Sequence, residues 1–199
     1  NPKPRLYLDL DRTVFDTDRA VLLWGELAKH YDLIPEACMM DRDSYYTWPV
    51  PGTYYHDLSR QLEAYGSFPE EAYELLRRSP LADGRLQLPY TAQLVETLAP
   101  LVEMTVLTFG ADDYQRLKAD LCPALKNIPV VTTLGDKRAV LETAGDCWLV
   151  DDKVPGAAPP DNVRFVQVAV PGATVEADKP WPLCSNLKEV KEYIYDALH

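Results

Sequence analysis

Two aspartates two residues apart, Asp9 and Asp11, follow directly on the apolar run Leu6-Tyr7-Leu8. A carboxylate at the end of a buried strand is costly unless something compensates it. A second one close by raises the cost, because like charges at short range disfavour joint ionisation. A metal cation, a shared proton or both would relieve it. A second acidic pair, Asp151-Asp152, follows the apolar run Trp148-Leu149-Val150, and between the pairs lie Thr108, at the end of Thr105-Val106-Leu107, and Lys137. Each has a plainer reading. The acids can be turn formers, Thr108 an ordinary strand end, and Lys137 a surface lysine with Arg138 as its rival.

What favours chemistry is where the surrounding elements must put these side chains. Strands are predicted at 6–10, 103–108, 129–133, 147–150 and 163–168 from their short apolar, β-branched runs. Helices are predicted at 17–31, 56–65, 69–78, 91–100, 111–121, 136–144 and 187–198, the first capped by Thr17 or Asp18 and the fourth by Thr91. After residue 90 strand and helix alternate, which means parallel βαβ units and a doubly wound α/β sheet. The stretch between the first two strands is far longer than the ~30 residues a βαβ unit needs. Residues 17–88 therefore read as an inserted helical cap, and 1–16 with 89–199 as the α/β core. In such a sheet ligands bind beyond the carboxyl ends of the strands. Asp9, Asp11, Thr108, Lys137, Asp151 and Asp152 are all expected there, converging on one crevice.

Composition narrows the partners. The 199 residues are 47% apolar and carry a net charge of −11. That charge argues against a nucleic-acid polymer, whose recognition relies on basic patches. It would also repel a small anion unless a cation sits at the site. No apolar run reaches the ~20 residues that span a bilayer, so no membrane association is expected. The beginning of the chain shows no charged-then-apolar leader, and a cytoplasmic location is the expectation. Cys38, Cys122, Cys147 and Cys184 are too scattered for a zinc frame and read as buried thiols. The aromatic stretch Tyr45 to Tyr55 reads first as packing within the cap and second as a surface that stacks on a base or sugar.

With these residues in place, the chain resembles the haloacid dehalogenase (HAD) superfamily. Asp9-Leu10-Asp11-Arg12-Thr13-Val14 is similar to its first motif, DxDx[TV][LV]; Thr108 to the second; Lys137 to the third; and Leu149-Val150-Asp151-Asp152 to the acidic fourth. The departure is Arg12, where the family most often has glycine. The resemblance covers the whole core and implies a magnesium-dependent phosphatase of small phosphomonoesters. Asp9 would be the nucleophile that forms an aspartyl-phosphate, and Asp11 the general acid and base, with a raised pKa. Thr108 and Lys137 would hold the phosphoryl oxygens and offset charge. Mg²⁺ would be held by the Asp9 carboxylate, the Asp11 backbone carbonyl and Asp152, with Asp151 bound directly or through water. A metal-independent dehalogenase, a phosphomutase and a non-catalytic binding module on the same fold are the alternatives. Four carboxylates against one lysine leave three negative charges, which Mg²⁺ and a proton on Asp11 would bring close to neutral.

Overall fold

The computed structural model describes residues 2–173 and 178–199. Strand β1 (Arg5–Leu8) lies at the centre of the sheet, between β4 (Glu103–Phe109) and β6 (Cys147–Asp151). β5 (Val130–Thr133), β7 (Val163–Val168) and β8 (Leu183–Cys184) complete it, in the order β5-β4-β1-β6-β7-β8 with every pairing parallel. Side chains alternate between the two faces of a strand, and the core divides accordingly. Leu6, Leu8, Val106, Trp148 and Val150 join the large cluster on one face; Leu107, Cys147, Leu149 and Phe165 join a smaller one on the other. Helices α5 (Thr91–Leu98), α6 (Asp112–Asp120) and α8 (Leu187–Leu198) feed the large cluster, and α7 (Lys137–Glu142) feeds the small one through Leu141. Helices thus cover both faces of a parallel sheet, which is the expected α/β architecture.

The segment between β1 and β4 differs from an all-helical insertion. It holds α1 (Val21–Ala28), α2 (Pro35–Asp41), α3 (Leu58–Ala64) and α4 (Pro69–Arg77). It also holds an antiparallel hairpin, β2 (Tyr46–Val50) and β3 (Thr53–His56), where irregular chain is expected. Proline obscures the hairpin in the sequence: Pro49 cannot donate to a ladder, and the register slips between Thr47 and Val50. The turn Pro51-Gly52 has the form that type II turns prefer, with Gly52 at φ +82°. The first predicted helix is shorter too. Thr17–Arg19 is a 3-10 turn, and neither Asp16 nor Thr17 caps it by side chain. Asp18 instead pairs with Arg12 at 2.9 Å. Thr91 is the first residue of α5, and its hydroxyl donates back to the Leu88 carbonyl at 2.7 Å. All four cysteines are buried free thiols. Among the described residues no helix is long and apolar enough to cross a membrane.

The two ends of the insertion are stitched together where they leave the core. The Asp16 N–H donates to Leu86 O at 2.8 Å, and the Leu88 N–H donates to Val14 O at 2.7 Å. That closure fixes the base of the insertion against the loop that follows β1.

Candidate functional site

The loop after β1 is wound around one carbonyl. The N–H groups of Thr13, Val14 and Phe15 all point to Leu10 O, at 3.3, 2.9 and 2.8 Å. Winding the chain this tightly forces Arg12 to φ +60°. A side chain there costs about 1 kcal/mol relative to glycine, which explains why glycine suits this position. Arg12 spends the cost on a cation at the mouth of the loop, where it meets Asp18.

Asp9 stays in register with β6, because its N–H donates to Val150 O at 2.9 Å. Its side chain therefore stands beside Asp151 and Asp152. Carboxylate oxygens of Asp9, Asp151 and Asp152 lie within 4.8 Å of one another. Lys137 enters from the first turn of α7, whose start is capped by Asp136 accepting the Arg138 N–H at 2.8 Å. Its ammonium donates to Asp9 and, at 2.7 Å, to Asp151. Arg138, the rival cation, is turned away and pairs with Glu142. Thr13 donates to the other Asp9 oxygen at 2.9 Å, and the Lys153 N–H donates to Asp151 Oδ1 at 2.9 Å. The Asp152 carbonyl accepts from the Gln167 amide at 3.0 Å, and the Trp181 indole N–H holds Gln167 in turn at 2.8 Å.

Three carboxylates thus face one ammonium, leaving two negative charges uncompensated. Burial, reinforced by Asp151, pushes the Asp9 carboxyl up to about 7 despite Lys137. Burial, reinforced by Asp9 and Asp151, pushes Asp152 up to about 8. Lys137 is driven the other way: burial opposes its charge, but Asp151 and Asp9 outweigh burial and raise it.

Asp11 lies in a different environment from the one expected. Burial would raise its carboxyl, but Lys118 overcomes that, and with Thr17 and Gln115 holds it below the ordinary carboxylate range. The Lys118 ammonium reaches both Asp11 oxygens, at 2.8 and 3.0 Å, and the Thr17 hydroxyl donates at 2.7 Å. The expected raised pKa of Asp11 is therefore corrected to a lowered one, because a second buried cation supplies the charge that a proton was expected to supply. Lys118 itself is 5% exposed and sits 4.2 Å from the centre of the Tyr114 ring.

Thr108 stands at the same edge of the sheet, but its hydroxyl donates to Gln115 at 3.1 Å. Gln115 also donates to Phe109 O at 3.0 Å. Gly110 makes room for this amide: at φ +139° a Cβ would meet the Gln115 nitrogen at 2.4 Å. Lys118 and Gln115 escape the motif reading, yet helical spacing carries a signal for them. Tyr114, Leu117, Lys118 and Leu121 fall at the intervals of one inward face, and all four are buried.

The Lys118–Asp11 pair makes a checkable prediction. Lys118→Met leaves a mostly buried carboxylate without its cation, and we expect a loss of about 2 kcal/mol at pH 7. A lowered folded-state pKa means stability that is present above the unfolded value near 4 and lost as pH falls through the folded value. The gap between Lys118→Met and the native chain should therefore shrink below about pH 4. Urea denaturation at pH 7 and pH 3.5 measures it, and identical midpoints at pH 7 would refute the pair.

No protein-family model matches the sequence, and no curated protein does. Solved structures do match over nearly the full length. The defluorinating L-2-haloacid dehalogenase Rha0230 superposes with a TM-score of 0.64 at 14% identity, covering 97% of this chain and 98% of that one. A Burkholderia xenovorans LB400 protein named as a haloacid dehalogenase-like hydrolase gives 0.62 at 16% identity, covering 96% and 99%. The HAD-hydrolase YfnB of Bacillus subtilis, described as bound to magnesium, gives 0.53 at 16% identity, covering 98% and 100%. At such identities the likeness speaks for the fold alone, and it agrees with the topology. The chain has the haloacid dehalogenase-like fold.

Proposed function

We propose that this chain is a divalent-cation-dependent phosphatase that hydrolyses small phosphomonoesters through an aspartyl-phosphate on Asp9. The observation that carries the reading is the crowding of Asp9, Asp151 and Asp152 around the single ammonium of Lys137, which leaves a charge deficit of two when all three are ionised. An all-oxygen donor set of that charge suits Mg²⁺. Asp9 and Asp152 would hold the ion, Asp151 directly or through water. When bound, it would offset the two excess carboxylate charges and act as a Lewis acid on a substrate phosphoryl oxygen.

The chain's own residues then have distinct parts. Asp9, held by Thr13 and Lys137, attacks phosphorus and the bond to the leaving oxygen breaks. Lys137 offsets the charge that gathers on the phosphoryl oxygens. Asp11, kept as a carboxylate by Lys118, takes a proton from the water that later attacks the aspartyl-phosphate. In the first step the leaving oxygen must gain a proton, which Asp11 supplies only after parting from Lys118 and taking one up, from solvent or from the hydrolytic water of the preceding turnover. Thr108 can donate to a phosphoryl oxygen by exchanging Gln115 for it.

The assay is phosphate release from p-nitrophenyl phosphate, with halide release from a 2-haloacid run in parallel. We expect phosphate release that EDTA abolishes and Mg²⁺ restores. Halide release that ignores EDTA would point to a metal-free dehalogenase instead.

A binding experiment reads the cation without turnover. In the metal-free protein Asp9 and Asp152 have folded-state values near 7 and 8, above the ordinary value near 3.9. The folded chain then binds more protons than the unfolded one between about pH 4 and 8, so this contribution to stability falls as pH rises through that window. A cation that replaces those protons should stabilise most at the alkaline end. At saturating Mg²⁺ we expect the melting temperature to rise by roughly 5 °C at pH 8, and by clearly less at pH 5. No shift at pH 8 would remove the metal from the scheme.

A further inference from the structure

The β2–β3 hairpin carries an aromatic ladder that packing within the insertion does not explain. Side chains alternate along a strand, so Tyr46 and Trp48 of β2 share a face with Tyr54 and His56 of β3, and Tyr46 is directly opposite His56. Their rings meet along that face: Tyr46 with Tyr54 at 4.8 Å, Trp48 with Tyr54 at 5.8 Å, and Tyr46 with His56 at 6.2 Å. Trp48 and Tyr54 are nonetheless 59% and 54% exposed. A run of packed contacts links the inner end of the ladder to the acidic site. His56, its innermost ring, stands edge-on to Tyr114 at 5.8 Å, and Tyr114 carries the Lys118 ammonium that holds Asp11. On the opposite face of the hairpin, Tyr55 meets Phe109, the residue after Thr108, at 6.1 Å.

We propose that this ladder is the leaving-group subsite, and that the leaving group carries a planar aromatic ring of nucleobase size. The inference rests on the phosphomonoester reading for the word "leaving" but not for the binding surface itself. Tyr46 and Tyr54 lie at 34°, and Trp48 and Tyr54 at 44°, so the outer rings lean over one another and offer faces as well as edges. Ring faces bind other rings by stacking, with little regard to substituents. Sugar hydroxyls ask for carboxylate and amide partners. The ladder itself carries phenol hydroxyls, an indole N–H and an imidazole already bonded to Gln61 at 2.6 Å, and the neighbouring Asp43 carboxylate is already engaged by the Tyr46 hydroxyl. A neutral ring also suits a chain of net charge −11 better than a second anionic group would.

The test has two arms. In the first, the full-length protein is titrated with adenosine and thymidine, without phosphate or metal, and followed by tryptophan fluorescence and calorimetry. We expect saturable binding that weakens about tenfold in Trp48→Ala and in Tyr54→Ala. Binding unchanged by either substitution, or no binding to the native protein, would overturn the subsite. In the second arm, kcat/KM is compared for nucleoside monophosphates, phenyl phosphate and glycerol phosphate. The two variants should lose about tenfold on the aromatic esters and leave glycerol phosphate unchanged. Preference for nucleotides over phenyl phosphate would identify the ring as a base. Equal losses on all three would overturn the proposal. Turnover of no ester, with nucleoside binding intact, would sink the phosphatase reading and spare the ladder. Sedimentation completes the set: a change of oligomeric state in Trp48→Ala, without loss of nucleoside binding, would assign the surface to a second copy of the chain.

Discussion

Asp9→Asn should abolish phosphate release while leaving the fold intact. The substitution keeps the shape of the side chain and one of the two oxygens that accept from Lys137 and Thr13, but an amide oxygen is a poor nucleophile and cannot carry the phosphoryl group forward. We expect a fall in kcat on the order of 10³-fold or more. The same change removes one of three crowded carboxylates, leaving Lys137 facing Asp151 and Asp152. Like-charge repulsion falls with it, so the metal-free variant should melt no lower than the native chain at pH 8. The gain from Mg²⁺ should shrink, because the deficit drops from two charges to one. Rates come from p-nitrophenyl phosphate and stability from thermal melts with EDTA or Mg²⁺. Native-like turnover in Asp9→Asn would remove the covalent mechanism.

Lys137→Met has the second large effect, and it falls on stability first. The Lys137 side chain is 13% exposed and bonds two carboxylates whose own side chains are each 6% exposed. Removing one partner of a buried ion pair costs about 3–5 kcal/mol, because the remaining charge is left uncompensated. Here two partners are stranded beside a third acid. Repulsion among the acids is relieved where Asp9 and Asp152 take up protons, so the loss should be greatest near pH 8 and much smaller at pH 5, where both are already protonated in the metal-free chain. Mg²⁺ should recover part of the loss at pH 8 and little at pH 5. Denaturant midpoints at the two pH values, with and without the ion, decide the matter. A Lys137→Met protein as stable as the native one at pH 8 would mean that the ammonium is solvated and bridges nothing. Arginine is no substitute, since its planar fork cannot replace a compact ammonium between Asp9 and Asp151.

Much of this was legible in the chain because it depends on local pattern. The central strands are buried on both faces, so Leu6 to Leu8 and Trp148 to Val150 read as short apolar runs. An acid directly after such a run must lie at the carboxyl edge of a parallel sheet, which is where Asp9 and Asp151 are found. The hairpin was hidden because its signal is short and broken by Pro49 and Pro51. Its aromatic residues read first as packing, and only the exposure of Trp48 and Tyr54 favours the second meaning. Thr17 and Asp18 resemble helix caps in sequence, yet Asp18 pairs with Arg12 and Thr17 turns its hydroxyl to Asp11.

The sequence by itself determined the α/β order and the acids that the sheet must gather at one rim, because strand periodicity and strand-end position are properties of neighbouring residues. Only the tertiary structure decided how those acids are charged. Lys118 follows Asp11 by more than half the chain and meets it across the packing of α6 against the loop after β1. That contact turns an acid expected to hold a proton into one held as a carboxylate. The balance at such a site depends on which cations the fold buries within a few ångströms, and distance in space is what a linear pattern does not carry.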